Sequence, residues 1–274
     1  MLFDCFDDGS RILGGAPFNV AWHLQAFGLK PMLISRVGDD APGNEIHDAM
    51  QTWRLDTSGL QLDAQRSTGE VRVTLENGQP SFDIVPEAAY DFIEADALPS
   101  TPASLIYHGT LGLRHPKSAA AFSHLMQSCQ APVFLDINLR PPWWNGEKTA
   151  RMMDQAHWLK VNDDELATLV EEPGSLHSKA EHLMAQYDLQ LIIVTRGENG
   201  VFALEHNGEI TAISPGNKVT VVDTVGAGDA FSAVAILGLL RRWPLKLTLQ
   251  RAHQFASKLV TQRGATVADP GFYQ

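Results

Sequence analysis

The sequence predicts an α/β protein in which a mostly parallel sheet is covered by helices on both faces. Apolar runs of strand length alternate with segments of helical periodicity, an alternation typical of repeated strand–helix units. No internal repeat or low-complexity linker interrupts the pattern. The chain has 274 residues, 44% of them hydrophobic and 19% charged, which is enough for one large domain with an insertion or for two domains.

The predicted elements follow from the apolar spacing and the turn signals between them. We predict strands at residues 2–6, 32–37, 105–108, 133–137, 158–161, 191–195, 201–204, 209–213 and 219–222, and helices at residues 14–28, 43–55, 117–129, 162–171, 230–240 and 248–262. In the first helix Pro17 suits the first turn and Gly28 suits the position just after the end.

One segment, residues 67–85, departs from this pattern. Apolar residues alternate there with polar ones at period two around Asn77-Gly78, which predicts a β-hairpin. Because an isolated hairpin is barely stable in water, it must lie on another surface. We expect it to form a lid over a pocket, an edge that makes homodimer contacts, or both.

Composition excludes several classes of function. The net charge is −11 and no Lys/Arg cluster is visible, so neither nucleic acid nor an anionic membrane is an expected partner. Cys5 and Cys129 give neither a disulfide framework nor a zinc spacing, and no metalloprotease motif is present. No apolar run reaches the ~20 residues of a membrane span, and no signal peptide is recognised, so we expect a cytoplasmic protein.

The most informative stretch is Asp-Thr-Val-Gly-Ala-Gly-Asp-Ala-Phe at residues 223–231, before a long apolar helix. Backbone N–H groups converge at such a helix start, where the helix dipole is positive, so the turn predicts an anion site at Gly226, Ala227 and Gly228. No Walker A sequence is present, and a phenylalanine occupies the third glycine position of a dinucleotide fingerprint. Asp229 either complements the helix dipole or acts as a general base, and the pattern favours the base.

Four other polar residues lie at predicted element ends. Asn19, in the first turn of a helix, either caps that helix or points toward a ligand. Arg140 follows the carboxyl end of a strand, where open α/β sheets bind ligands. It either binds an anion or a hydroxyl of a ligand, or forms a structural ion pair. Asn162 and Glu165 open another helix, where they either complement the dipole or together hold a hydrated cation.

Taken together, these motifs resemble those of the ribokinase-like, PfkB-type carbohydrate kinases. Both family signatures have counterparts, Gly-Gly-Ala-Pro-Phe-Asn at residues 14–19 and the glycine stretch at residues 223–231. Between them, residues 162–165 resemble the family's Asn-x-x-Glu and residues 195–197 its Thr-x-Gly. The resemblance covers nearly the whole chain in the right order.

The resemblance implies a three-layer α/β/α sandwich with a mostly parallel central sheet and a small β-sheet lid. It implies a single domain over residues 1–274, with lid strands inserted at about 5–14 and 66–85. It also implies ATP as phosphate donor, Mg²⁺ as cofactor and, as in many members, a monovalent cation such as K⁺.

The resemblance also implies roles for individual residues. Asp229 is the expected base, and Gly226, Ala227 and Gly228 form the expected anion hole. The resemblance places Asp4, Gly14, Gly15 and Asn19 beside the hydroxyl groups of the sugar. Arg140, discussed above, is expected on the same side of the site. The residues expected near the nucleotide and its phosphates are Asn162, Thr195, Gly197 and Gly228. Asn162 and Glu165 are expected near Mg²⁺, and Asp223 matches one ligand of the monovalent cation.

Within the family, residues 14–21, 89–91 and 138–144 resemble most closely those of bacterial fructokinases. We therefore expect phosphate transfer to a terminal hydroxyl of a sugar, with fructose as acceptor. A 2-keto-3-deoxygluconate kinase, which would bind the carboxylate of its substrate through Arg140, and a nucleoside kinase are alternatives. A catalytically silent sugar sensor is a third alternative, although it would have no need for Asp229.

The beginning of the chain differs from this group. Its members usually carry a Gly-Glu strand just before the segment that matches residues 2–6, and the sequence does not include that strand. From this difference we expect a start codon that was assigned too late.

Overall fold

The structure is a computed structural model that describes residues 1–76, 79–100, 102–214 and 219–274. Its helices are α1 Ala16–Ala26, α2 Ala41–Thr52, α3 Pro116–Ser128, α4 Gly146–Asp154, α5 Asp163–Leu169, α6 Leu176–Tyr187, α7 Ala227–Leu240 and α8 Leu245–Leu259. Its strands are β1 Leu2–Phe6, β2 Arg11–Gly14, β3 Ser35–Gly38, β4 Leu60–Asp63, β5 Gly69–Glu76, β6 Gln79–Ile84, β7 Ile106–Gly109, β8 Val133–Asp136, β9 Trp158–Asn162, β10 Leu191–Thr195, β11 Val201–Glu205 and β12 Ile210–Ile213.

A six-stranded sheet in the order β12-β11-β10-β9-β8-β7 forms the centre of the molecule. Strands β7 to β10 are parallel neighbours, and β11 and β12 extend the sheet in antiparallel fashion. Successive side chains face opposite sides: Leu159 and Ile192 pack against the layer of α4, α5 and α6. Phe134 and Ile193 pack against α1, α7 and α8. These three layers confirm the predicted α/β/α fold class.

A second sheet of four strands, in the order β2-β1-β5-β6, lies apart from the central sheet. Strand β1 pairs with β2 in antiparallel and with β5 in parallel fashion, while β5 and β6 form an antiparallel pair. The predicted Asn77-Gly78 turn between β5 and β6 lies outside the described residues. We call the four strands the lid sheet. Strands β3 and β4 form a separate parallel pair.

Several element bounds differ from the prediction. Helix α2 begins at Ala41 rather than residue 43, because Asp40 caps it by accepting a hydrogen bond from the Gly43 N–H at 2.7 Å. Helix α8 covers Leu245–Leu259 rather than residues 248–262. Helices α4 and α6 were not predicted, although the apolar residues of α6 recur at helical spacing.

The predicted strand at residues 219–222 is wrong. Val221 and Val222 are 56% and 61% exposed, so these β-branched residues do not mark a buried strand. The backbone N–H groups of Val222 and Asp223 both donate to the carbonyl of Val260, at the end of α8, instead of to a neighbouring strand. The segment before the glycine turn is therefore a loop. No helix in the described part of the chain is both long and apolar enough to cross a membrane.

Candidate active site

A cleft opens where the carboxyl ends of the central strands approach the lid sheet. Asp4 and Gly14 line it from the lid sheet, and Asn138 and Asn162 line it from the ends of β8 and β9. The glycine turn before α7 lies in the same cleft. Open α/β sheets bind ligands outside the carboxyl ends of their strands, so this cleft is the candidate site.

The glycine turn presents free backbone donors to the cleft. Gly226 precedes α7 with a φ of 79°, and a Cβ on it would lie 2.4 Å from the Cβ of Ala265, so only glycine fits. The N–H of Ala227 donates to the carbonyl of Thr224 at 3.3 Å. The N–H groups of Gly226, Gly228 and Asp229 donate to no described residue. Three free donors at a positive helix end fit an anion.

Asp229 is held beside these donors by a residue from the other end of the chain. The Nδ2 of Asn19 donates to the Oδ2 of Asp229 at 2.7 Å. Burial is the main cause that raises the pKa of Asp229 to about 6, and the carboxylate of Asp136 adds to the rise. The hydrogen bond from Asn19 and the charges of Lys160 and Arg140 oppose it. The carboxyl is therefore ionised at neutral pH but more basic than an ordinary aspartate.

Asn19 does not cap α1, whose N-cap is Gly15 with a φ of 102°. It is 3% exposed, and its Oδ1 has no hydrogen-bond partner among the described residues. A Cβ built on Gly14 would lie 4.0 Å from that oxygen and 3.8 Å from Oδ2 of Asp4. The predicted sugar-side residues thus lie together, with an unpaired buried acceptor among them.

Asp4 and Arg140 contribute opposite charges to this part of the cleft. Burial raises the pKa of Asp4 to about 6; the charge of Arg140 opposes the rise and the carboxylate of Asp223 adds to it. Arg140 is exposed, lines the cleft and forms no ion pair with any residue in the described ranges. Its guanidinium is therefore available to a ligand.

Asn162 and Glu165 form a capping box at the start of α5. The Oδ1 of Asn162 accepts from the Glu165 N–H at 2.8 Å, and Oε2 of Glu165 accepts from the Asn162 N–H at 2.9 Å. The other oxygen, Oε1, accepts from the Leu139 N–H at 2.9 Å. Burial raises the pKa of Glu165. The capping function and the position in the cleft therefore coexist.

The remaining predicted residues lie around the same cleft. Thr195 ends β10 and Gly197 follows it, and both line the cleft beside the end of β9. Asp223 ties two loops together: its Oδ1 accepts from the Val225 N–H and its Oδ2 from the Gly264 N–H, both at 3.0 Å.

A buried polar cluster that was not predicted from the sequence lies beneath the glycine turn. Asp136 and Lys160 are aligned on the neighbouring strands β8 and β9, and the Nζ of Lys160 lies 2.9 and 2.8 Å from the two carboxylate oxygens. Ser232 of α7 donates to Oδ2 of Asp136 at 2.8 Å. A lysine within an otherwise apolar strand was the signal available in the sequence, since lysine is almost never fully buried without a partner.

Comparison with known proteins identifies the family of the protein that contains this cleft. A family model described as pfkB family carbohydrate kinase matches residues 7–270. The chain belongs to this family. The predicted family, fold class and enzyme class are confirmed: the chain is a carbohydrate kinase, a phosphotransferase whose acceptor is a hydroxyl group of a sugar.

Three relatives illustrate the similarity of this carbohydrate kinase to known proteins. The fructokinase of Klebsiella pneumoniae is 31% identical over 251 residues, which cover 86% of this chain and 81% of that protein. A sugar kinase of Pyrococcus horikoshii, solved in complex with ATP, has a TM-score of 0.82 at 26% identity and covers 96% of this chain and 91% of its own. The fructokinase of Vibrio cholerae O395, solved with fructose, ADP and a calcium ion, has a TM-score of 0.83 at 24% identity, covers 99% and 95%, and shows the shared fold.

Proposed function

We propose that this carbohydrate kinase transfers the γ-phosphate of ATP to a terminal hydroxyl of fructose. The observation that carries the proposal is the position of the Asp229 carboxylate beside three free N–H donors, in a cleft that also holds the predicted sugar-side residues. A base and an anion site at one helix start are what phosphoryl transfer to an alcohol requires.

Asp229 acts as the base in this proposal. The sugar hydroxyl gives its proton to the carboxylate as its oxygen bonds to the γ-phosphorus, and the bond to the ADP oxygen breaks. The N–H groups of Gly226, Gly228 and Asp229 receive the negative charge on the transferred group. Asn19 orients Asp229 through Nδ2, so the carboxylate needs no reorganisation when the proton arrives.

The sugar lies between Asn19 and the lid sheet. The unpaired Oδ1 of Asn19 accepts a hydrogen bond from a sugar hydroxyl, because a buried acceptor without a partner is costly and a ligand hydroxyl would satisfy it. Asp4, Gly14, Gly15 and Arg140 complete the sugar side. The carboxylate and the guanidinium there each offer hydrogen bonds to a polyol.

The nucleotide lies on the other side of the glycine turn, near Thr195 and Gly197, with its phosphates toward Asn162. No group of three or more His, Cys, Asp and Glu side chains in the described residues is placed to hold a metal ion. Mg²⁺ keeps several waters and binds through one or two carboxylates plus the substrate phosphates, so a single carboxylate such as that of Glu165 suits it. Glu165 and Asn162 would hold it through that water shell, and the ion would neutralise charge on the phosphates.

Fructose is proposed as the acceptor on two grounds. The 31% identical relative from Klebsiella pneumoniae is a fructokinase, and residues 14–21 and 138–144 resemble those of bacterial fructokinases. 2-Keto-3-deoxygluconate and nucleosides are the alternatives. The free guanidinium of Arg140 would also suit the carboxylate of the acid, so the acceptor has to be tested directly.

Three further features belong to the proposal. Asp223 keeps unused lone pairs on both carboxylate oxygens and is the candidate ligand for a K⁺ ion behind the turn. The lid sheet is the proposed homodimer surface, on which Phe82 is 54% exposed. A cytoplasmic location agrees with the two free cysteines, Cys5 and Cys129.

The proposal is tested by ADP release from ATP over a panel of hexoses, 2-keto-3-deoxygluconate and nucleosides. We expect fructose to give the highest kcat/KM. A higher value for the acid or for a nucleoside would replace fructose as the acceptor. Sugar binding without ADP release from any compound would favour the silent sensor and contradict the proposal.

A further inference from the structure

A buried histidine lies on the same side of α1 as Asn19, and the proposed reaction does not use it. His23 is 0% exposed and follows Asn19 by four residues, so the two side chains lie one helical turn apart on one face of α1. A buried polar group is costly unless its hydrogen bonds are made, and an apolar side chain of similar volume would fill the same space. The hydrogen bonds of His23 therefore call for an explanation.

The Nε2 atom of His23 is a hydrogen-bond donor. It lies 3.0 Å from the carbonyl oxygen of Ala265, which can only accept, so Nε2 carries the ring proton. Burial is the main cause that lowers the pKa of His23 to about 4, and the hydrogen bond to the Ala265 carbonyl opposes it. The imidazole is therefore neutral at neutral pH, and its single N–H is directed at Ala265.

Two aromatic residues fix the orientation of this imidazole. The hydroxyl of Tyr273 lies 3.0 Å from Nδ1, and the ring of Phe255 meets the imidazole edge-on, with 5.2 Å between the ring centroids. The hydroxyl also lies 3.1 Å from the carbonyl oxygen of Val267, but Nε1 of Trp22 donates to that oxygen at 3.0 Å. The hydroxyl can therefore donate to Nδ1, which keeps the ring proton on Nε2.

Ala265, the acceptor of the histidine hydrogen bond, is the residue against which the glycine turn packs. A Cβ built on Gly226 would lie 2.4 Å from the Cβ and 3.2 Å from the carbonyl oxygen of Ala265. The oxygen that accepts from His23 thus lies beside one of the residues with a free N–H. Asn19 binds Asp229, on the helix side of the same turn, at 2.7 Å. The two side chains of α1 therefore hold the turn from both sides.

We infer that His23 is a positioning residue for the anion turn: its Nε2–H fixes the Ala265 carbonyl, and Ala265 in turn fixes the backbone of Gly226. The inference rests on the proposed phosphotransfer, in which the N–H groups of this turn receive the charge on the transferred group. These donors stabilise the transition state only while they point at the developing charge, so a small displacement of the turn lowers kcat. Bound ATP depends less on their direction, so its KM should not change.

Two substitutions of the same chemistry test the hydrogen bond itself. In His23→Gln the amide nitrogen reaches the position of Nε2 and donates to Ala265, whereas the shorter amide of His23→Asn reaches only the position of Nδ1. We expect kcat to stay close to the wild type in His23→Gln and to fall about tenfold or more in His23→Asn, with the KM for ATP unchanged in both. Ile46→Val, a buried position of α2 outside the cleft, is the control: it lowers the unfolding temperature but should leave kcat unchanged.

Tyr273→Phe tests the same contacts without altering the histidine, and it keeps the aromatic ring. We expect it to lower kcat at least about twofold in the wild-type background, because Nδ1 loses its donor and the ring proton is no longer held on Nε2. In the His23→Gln background it should leave kcat unchanged, since an amide has no such tautomers. The same fall in both backgrounds would contradict the role of the Tyr273 hydroxyl.

A further readout does not depend on the acceptor. We expect His23→Asn to bind ADP with wild-type affinity, measured by calorimetry in the presence of Mg²⁺, but to bind ADP with aluminium fluoride, a mimic of the transferring phosphoryl group, about tenfold more weakly. His23→Gln should match the wild type in both titrations.

The outcomes separate this inference from the proposed function. Equal kcat values in His23→Gln and His23→Asn, or equal affinities of the two variants for the fluoride complex, overturn the role of His23. A fall of kcat in Ile46→Val as large as that in His23→Asn overturns it too, because general loss of stability would then explain the effect. A wild-type protein that phosphorylates no compound of the panel overturns the proposed function instead, while the calorimetry still decides whether His23 positions the turn.

Discussion

At the scale of single residues, the hydrogen bond between Asn19 and Asp229 links the two ends of the chain at the proposed reacting centre. The sequence identified both residues but assigned them to different tasks, one to the sugar and one to the proton. Their contact spans 210 positions along the chain, and no local pattern reports such a distance. In the proposed function the two tasks meet in one side chain, whose Nδ2 orients the base and whose unpaired Oδ1 accepts from the sugar.

The pKa of Asp229, raised to about 6, sets the expected pH dependence of the enzyme. The proposed base must be ionised, so kcat/KM should rise with pH through about 6 and fall at least about tenfold per pH unit below it. Since the Asn19 hydrogen bond lowers this pKa, Asn19→Leu should move the acidic limb of the profile to higher pH. An exposed control, Asn207→Leu, should leave the limb in place. An unmoved limb in Asn19→Leu would contradict the role of Asn19.

Asp136 and Lys160 were not predicted from the sequence. Their ion pair forms only because their two strands are neighbours in the sheet. Asp136 ends one strand and Lys160 lies within another, and only their alignment brings the charges together. A strand pattern specifies which side chains share a face, but strand order in a sheet is a tertiary property. The lone lysine in an apolar strand was the available signal.

At the scale of elements, the glycine turn packs closely against the loop that contains Ala265, which is distant in sequence. Both family signatures and their helices could be predicted because glycine turns, a proline in the first helical turn and apolar spacing are local signals. The strand predicted before the turn was wrong, because four residues rich in valine have high strand propensity whether or not a neighbouring strand exists. Here their backbone bonds go to the end of α8.

Gly226 and Gly208 have similar φ angles but different surroundings. Substituting each by alanine therefore distinguishes the cost of backbone strain from the cost of a steric clash. Gly226 and Gly208 have φ values of 79° and 85°, but an added Cβ meets Ala265 at 2.4 Å in the first case and nothing within 4 Å in the second. Gly208→Ala should cost about 1–2 kcal/mol of unfolding free energy, the penalty of a left-handed residue. Gly226→Ala should cost more and lower kcat at least tenfold. Denaturant unfolding and steady-state kinetics measure both, and equal losses in the two variants would contradict the packing argument.

At the scale of the whole molecule, the lid sheet and the central sheet enclose one cleft, and each brings part of the site. The predicted sandwich, the lid strands and the carboxyl-end position of the site all follow from the order of elements and from the resemblance to the family. The oligomeric state does not follow from them, because an exposed apolar residue on the lid sheet contacts either a second copy of the protein or a bound ligand.

The proposed lid-to-lid homodimer makes a simple prediction. Phe82 of β6 and Leu62 of β4 are 54% and 60% exposed, but only Phe82 belongs to the lid sheet. Phe82→Ser should shift the mass measured by light scattering from dimer toward monomer, and Leu62→Ser should not. A monomeric wild-type protein, or equal shifts in the two variants, would contradict a dimer formed through the lid.

The central claim is that Asp229 is the base in phosphoryl transfer from ATP to fructose, and one variant tests it most directly. Asp229→Asn keeps the shape of the side chain and an acceptor for Asn19, but removes the basic oxygen. We predict that single-turnover transfer of the γ-phosphate falls about 10²-fold or more while the affinity for ATP stays close to the wild type, and that Asp188→Asn, outside the cleft, changes neither. A near-normal transfer rate in Asp229→Asn would contradict the account.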